Sequence, residues 1–330
     1  MLSHLIHRSE THSHKTLEWV LNEISTNGKL TRFPDDLTCY YKLPTLLTIS
    51  GKLQQAQIVL SYIESAFFKQ GNKLCFEDKK TNNPLMAKFW GYVLGWIGYA
   101  AQKLGRFDLS YPLFNYLKSF QSQDHGGFAT SGPWGSQNPE MDVITSAQCG
   151  HLSLYFGDLK MATKTGEFLG WHITHQSEAN SHLYLFVDND KKFVTQYPQE
   201  LEIVYKLKKA EPQQAYFMIG FPCAFLVQLY NATANPDFLH YAKQYADYAL
   251  GCHESIKSFH FSHKVAWAMS LLYRATKEEK YLILCQQITD YLISIQTSDG
   301  KWLTDQDAIH SLDQSIENAI WLKEIASQLS

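Results

Sequence analysis

"FWGYVLGWIGYAAQ", residues 89–102, carries no charged side chain and places Gly91, Gly95 and Gly98 on one helical face. A helix that is apolar on every side is buried on every side. Shortly after it, "GRF" at 105–107 punctuates the chain, and an amphipathic stretch follows. A fully buried helix joined by a tight turn to a half-exposed one forms an antiparallel hairpin with an inner and an outer member.

The same pair recurs along the chain. "DVITSAQCGHLSLYFG" (142–157) and "QQAYFMIGFPCAFLVQLY" (213–230) are further inner-type segments, rich in small and apolar residues. The outer type is clearest from Glu278 to Gln296, where Tyr281, Leu284, Cys285, Ile288, Tyr291, Leu292 and Ile295 form one stripe at spacings of three and four. Twelve helices are expected, near 15–27, 39–50, 53–70, 85–105, 108–121, 140–157, 159–176, 211–234, 236–252, 262–276, 278–296 and 313–329. Links from inner to outer helices are two or three residues long, as in "GD" at 157–158 and "NP" at 235–236. Links from outer to inner helices are long, so they gather on one face, at the N-terminal ends of the inner helices. Six such hairpins make an all-α (α/α)6 barrel. "HLYLFVDNDKKFVTQY" alternates around Asn189-Asp190 and predicts a small β-hairpin near 182–198 on the open face. Residues 1–330 read as a single toroid domain, with 1–14, including His4, His7, His12 and His14, as a mobile tail.

Composition excludes several classes. The net charge of −3 and pI near 6.5 offer no case for nucleic acid. The longest apolar run, Ala215 to Val227, is too short to span a bilayer, and the first residues lack the apolar core of a signal peptide. The six cysteines form no CxxC and read as small buried hydrophobes in a reducing cytoplasm. No phosphate loop, dinucleotide fingerprint, GxSxG or ordered Cys/His spacing occurs, so neither cofactor nor metal is expected.

Two short stretches share one punctuation: "QTSDGKW" (296–302) and "QSQDHGGF" (121–128) each leave an outer helix with a Gln, an Asp, a glycine and an aromatic. "QTSDGKW" resembles the Gln-Trp repeat of squalene–hopene and oxidosqualene cyclases. More broadly the chain resembles the α/α-toroid proteins: terpenoid cyclases, protein prenyltransferase β subunits and six-hairpin glycosidases such as the unsaturated uronyl hydrolases. The chain departs from the cyclases in lacking their Asp-rich protonating motif; "FPDDL" at 33–37 has the wrong flanks.

In such a barrel the chemistry lies in the first turns of the inner helices. Asp142 reads either as an acid facing the cavity or as a first-turn carboxylate behind an Asn138-Pro139 cap. Asp313 and Glu317, four apart, share a helix face; two carboxylates in a desolvated cleft can separate in pKa into acid and base, although Asp313 can also be a cap. His263 and Lys264 open an inner helix and suit proton shuttling or anion binding, or a solvated helix start. Tyr40, Tyr41, Lys42, Lys88, Trp90, Gln213 and Tyr216 at inner-helix starts, with Asp124, Trp134 and Trp302 on the loops, give either a sugar-like lining of ring faces and amides or plain core packing. Three functions remain open: a hydrolase, lyase or epimerase acting on an oligosaccharide or uronic acid; an isoprenoid cyclase-like protein; or a non-catalytic accessory protein of polysaccharide or lipid biosynthesis.

Overall fold

The computed structural model describes residues 2–330. Twelve α-helices of seven or more residues, numbered in chain order, build it. They are α1 Leu2–Leu21, α2 Leu43–Ile49, α3 Leu53–Ile63, α4 Trp90–Lys103, α5 Phe107–Lys118 and α6 Val143–Tyr155. The second half holds α7 Leu159–Thr174, α8 Phe217–Thr233, α9 Pro236–Leu250, α10 His263–Thr276, α11 Glu279–Ser294 and α12 Ala308–Leu329.

Even-numbered helices pack in a closed ring, α2 on α4, α4 on α6, and so on round to α12 on α2. Each is backed by the outer helix that follows it, and α1 backs α12, so the two ends of the chain form the sixth hairpin. The architecture is an (α/α)6 barrel. Inner helices are buried nearly all round because they have neighbours on every side: all of Trp90–Gly98 in α4 and Ser311–Leu322 in α12 are buried.

The N-terminal tail expected over 1–14 is a correction: residues 2–14 form the first turns of α1. The buried face of this helix carries Ser9, Ser13 and Thr16 beside Leu5 and Leu17, so its apolar stripe is diluted by small hydroxyls. Those hydroxyls are useful inside: Ser13 Oγ donates to the Ala319 carbonyl at 2.7 Å and Thr16 Oγ1 to the Gly300 carbonyl at 2.6 Å. The last helix begins at Ala308, earlier than the pattern suggested, because Asp307 caps it by accepting from the N–H groups of Ile309 and His310. Near 182–198 the chain does turn back on itself, with Val187 bridging Phe193 around Asp188–Lys192. The flanking residues add two short antiparallel pairings, Phe186–Val187 with Met141–Asp142 and His182–Tyr184 with Lys206–Lys208.

The repeated punctuation has a structural role. Gln296 Nε2 donates to Thr16 Oγ1 and to the carbonyls of His12 and Gly300, which fastens this loop to α1. Gln121 Nε2 makes the same set in its own repeat, to Thr165 Oγ1 and the carbonyls of Met161 and Gly126, on α7. Each loop thus locks one outer helix to the next around the ring. Trp302 is buried beneath the loop, its Nε1 donating to the Leu292 carbonyl at 2.8 Å.

Gly300 has φ +87°, and a Cβ there would sit 2.6 Å from the Lys15 carbonyl carbon. Gly300→Ala is expected to cost more than the roughly 1–3 kcal/mol of left-handed strain alone, because the backbone of α1 must also shift. Gly105→Ala, at φ +73° with open space around it, is the control, and urea unfolding measures both. Equal losses would remove the docking role.

Candidate functional site

The N-terminal turns of the inner helices line a cavity of about 440 Å3 on the face that carries the long links. Tyr41 and Lys42 come from the start of α2, Tyr92 from α4, Ile144 from α6, Phe217 and Met218 from α8, His263 and Lys264 from α10, and Asp313, Gln314 and Glu317 from α12. The size falls within the ~300–1,000 Å3 of small-molecule sites.

Glu317 is the hub of its floor. Its Oε2 accepts from Lys42 Nζ at 2.6 Å, and its Oε1 is hydrogen-bonded to Lys264 Nζ. Tyr92 Oη and Trp321 Nε1 each donate to Oε1 at 3.3 Å. Lys42 also donates to Asp313 Oδ2 at 2.9 Å. All of these side chains are nearly inaccessible. Gly220 allows the arrangement: a Cβ on it would lie 2.5 Å from the Lys264 carbonyl carbon, so only glycine lets α8 close against this turn of α10.

Burial sets the proton affinities. Alone it would raise Glu317, but Lys264 and Lys42 outweigh it and hold the carboxyl well below its ordinary value. Burial likewise opposes charge on Lys42, yet Asp313 and Glu317 raise its pKa. Lys264 goes the other way: burial, helped by Lys42, lowers it to about 8 against the pull of Glu317. Its ammonium sits 5.3–5.9 Å from the ring centroids of Tyr92, Phe217, Phe221 and Trp321, a cation–π cage. Burial and Lys264 lower His263, so its imidazole is neutral near pH 7. His263 Nδ1 lies 2.6 Å from the His260 carbonyl oxygen, which only accepts, so Nδ1 carries the proton. Nε2 is therefore the lone-pair nitrogen, and it accepts from Lys264 Nζ at 3.2 Å.

The structure thus brings together Tyr41, His263, Lys264, Asp313 and Glu317 of the residues expected at the site. Others lie elsewhere. Asp142 is a correction: it caps α6, its Oδ1 accepting from Ile144 and Thr145 N–H, and it is sealed in the core, where burial raises its pKa. Tyr40 accepts the Leu30 N–H through its hydroxyl, and Trp90 Nε1 donates to the Phe76 carbonyl, both in the core. Lys88 pairs with Glu140 outside the cavity lining. Asp124 and Gln213 are exposed, Trp134 is half-buried against His125, Tyr216 contacts Ser255, and Trp302 is packed under its loop. Sequence reasoning passed over Tyr92, Trp321 and Gln314, and named Lys42 only as part of an aromatic helix start. Their signal was modest: Lys42 is the one charge in "CYYKLPTLL", and Trp321 follows Glu317 at a spacing of four.

No family model matches the sequence, and no curated protein matches it. Solved structures do. A D-mannose isomerase superposes with a TM-score of 0.73 at 14% identity, over 97% of this chain and 96% of that one. The GH76A α-1,6-mannanase from Salegentibacter sp. HEL1_6 gives 0.66 at 14% identity, over 98% and 100%. An unsaturated glucuronyl hydrolase specific for heparin gives 0.63 at 12% identity, over 98% and 96%. The fold is the six-hairpin α/α toroid of these proteins. Among the described residues no helix is long and apolar enough to cross a membrane.

Proposed function

We propose that this chain is a carbohydrate-active enzyme that isomerises or epimerises a sugar by moving a proton beside its carbonyl group. One observation carries the choice over hydrolysis: Glu317, the hub of the floor, is held ionised by two lysines, and each other carboxylate of the lining already accepts from at least one donor. Glu317 and Asp313 share Lys42, both oxygens of Asp36 accept backbone N–H groups from Thr38 and Asn82, and Asp307 caps α12. Glycoside hydrolysis needs one carboxylic acid that holds a proton and a second free carboxylate about 5–9.5 Å away. A Glu317 held ionised by two lysines does not supply the first.

The groups that remain suit proton transfer. His263, a neutral imidazole of the cavity lining, holds its Nε2 lone pair 3.2 Å from Lys264 Nζ, and Lys264 ionises near the working pH range. In this reading His263 takes the proton from the carbon next to the carbonyl. The C–H electron pair becomes a C=C bond, and the carbonyl oxygen gains the charge, which the Lys264 ammonium stabilises. For isomerisation the hydroxyl proton on the first carbon passes to that oxygen, and the abstracted proton returns to the former carbonyl carbon; for epimerisation it returns to the other face of the carbon it left. Glu317 is a positioning residue that keeps Lys264 charged and aimed. The charged floor is also the opposite of the dry apolar cavity that a carbocation cyclase would require. The structural neighbours, a D-mannose isomerase, an α-1,6-mannanase and an unsaturated glucuronyl hydrolase, support the carbohydrate reading. The six unpaired cysteines support a reducing compartment such as the cytoplasm.

The test is proton NMR in D2O with a panel of aldoses and ketoses. The expected result is interconversion of one pair with solvent deuterium incorporated at the carbon beside the carbonyl. Release of reducing ends from an oligosaccharide, with no exchange into free sugars, would overturn the proposal.

A further inference from the structure

Two acceptor atoms of the cavity have no partner. Asp313 Oδ1 and Gln314 Oε1 are buried oxygens of two cavity-lining residues, and neither receives a hydrogen bond. Gln314 Nε2 donates to Asp313 Oδ2 at 3.3 Å, which leaves its Oε1 turned away from that carboxylate. Lys42 occupies the same Asp313 Oδ2. The two idle oxygens belong to consecutive residues of α12, and the hydrogen bonds on Asp313 Oδ2 and Gln314 Nε2 orient them; both can only accept. A buried acceptor left unmet is unfavourable, so a ligand that brings O–H or N–H donors to them is favoured.

The charge balance narrows the ligand further. Four carboxylates line the cavity, Asp36, Asp307, Asp313 and Glu317, against two ammonium groups, Lys42 and Lys264, and no arginine. Both lysines are already committed to those carboxylates. An incoming carboxylate or phosphate finds no free cation and a net negative surround. Walls such as Tyr41, Phe89 and Phe217 offer apolar faces instead.

We infer that the cavity selects an uncharged, polyhydroxylated substrate and rejects sugar acids and sugar phosphates, with Asp313 Oδ1 and Gln314 Oε1 accepting two of its hydroxyls. The inference rests on the carbohydrate reading above and specifies its substrate class. It replaces the uronic acid that the sequence left open with a neutral sugar.

Isothermal titration at pH 7.5 tests it with matched sets, each a hexose, its 6-carboxylate and its 6-phosphate. A neutral hexose is expected to bind at least about tenfold more tightly than either charged relative. Gln314→Met, which keeps the side-chain length and loses the acceptor, is expected to weaken hexose binding about tenfold. A deoxy hexose lacking the hydroxyl that Gln314 meets should then show no further loss in that variant. Asp313→Asn gives a second reading of the same pair. Binding of a uronate or phosphate as tight as that of the hexose overturns the inference. So does unchanged hexose affinity in both folded variants, or absence of binding across the neutral panel. A neutral sugar that binds without C–H exchange would sink the proton-transfer mechanism and leave this inference standing. A uronate that binds and exchanges would do the reverse.

Discussion

Glu317→Gln is expected to lose about 3–5 kcal/mol of stability at neutral pH, the usual cost of breaking a buried ion pair by removing one partner. The glutamine keeps the shape but leaves Lys42 with Asp313 alone and Lys264 with no carboxylate at all. The deficit should depend on pH in two ways. Glu317 has a folded pKa well below its ordinary 4.5, so its contribution is present above that value and fades as pH falls through the folded pKa. At the other end, Lys264 ionises at about 8 while Glu317 is present to support it. Without Glu317 that pKa falls further, so the variant recovers stability as pH rises toward 8, by shedding the lysine proton. The deficit should therefore peak between the carboxylate range and pH 8. Urea unfolding at pH 3, 6.5 and 9 checks this, and a pH-independent deficit would show that Glu317 acts by packing alone.

Lys264→Met is expected to leave the barrel folded and to cut turnover about 10²–10³-fold, the cost of removing one donor to a developing oxyanion. Stability should separate from activity here. The unfolded lysine ionises near 10.5 and the folded one at about 8, so between those values the unfolded chain binds more protons. Wild type then gains stability as pH rises from 8 to 10.5, by roughly 3 kcal/mol in total, and Lys264→Met lacks that gain. Below pH 8 the methionine variant should match or exceed wild type, since Glu317 still has Lys42 and a disfavoured buried charge is gone. Unfolding curves of the two proteins that stay parallel from pH 7.5 to 10.5 would refute the buried-ammonium assignment. Loss of activity no greater than twofold would remove Lys264 from the reaction.

These two residues differ in how far the sequence announced them. Glu317 and Asp313 stand four apart in an inner helix, so a shared face could be read directly from their spacing. Lys264 was readable as a helix-opening cation beside His263, but its depressed pKa was not, because four aromatic rings from α4, α8 and α12 desolvate it. Asp142 shows the converse. An acid at the start of an inner helix can point into the cavity or back onto the helix's N–H groups, and the extended backbone of Asp142 itself, which makes it the N-cap, decides which. The "QTSDGKW" loop repeats because each copy must fasten one outer helix to its neighbour, a structural need that also gives it a Trp with no part in the cavity.

What the sequence by itself determined is the barrel: helical stripes, the all-apolar inner segments and the alternation of short and long links are local properties, and their consistency leaves one way to stack the hairpins. It missed the first turns of α1 because small buried hydroxyls do not register as an apolar stripe. Only the tertiary structure decided the site. Lys42, Lys264 and Glu317 come from three helices far apart in the chain, and they meet because the ring closes with α12 between α2 and α10. Their charge states follow from that meeting, since Coulomb attraction at hydrogen-bond distance and loss of solvent both depend on neighbours in space.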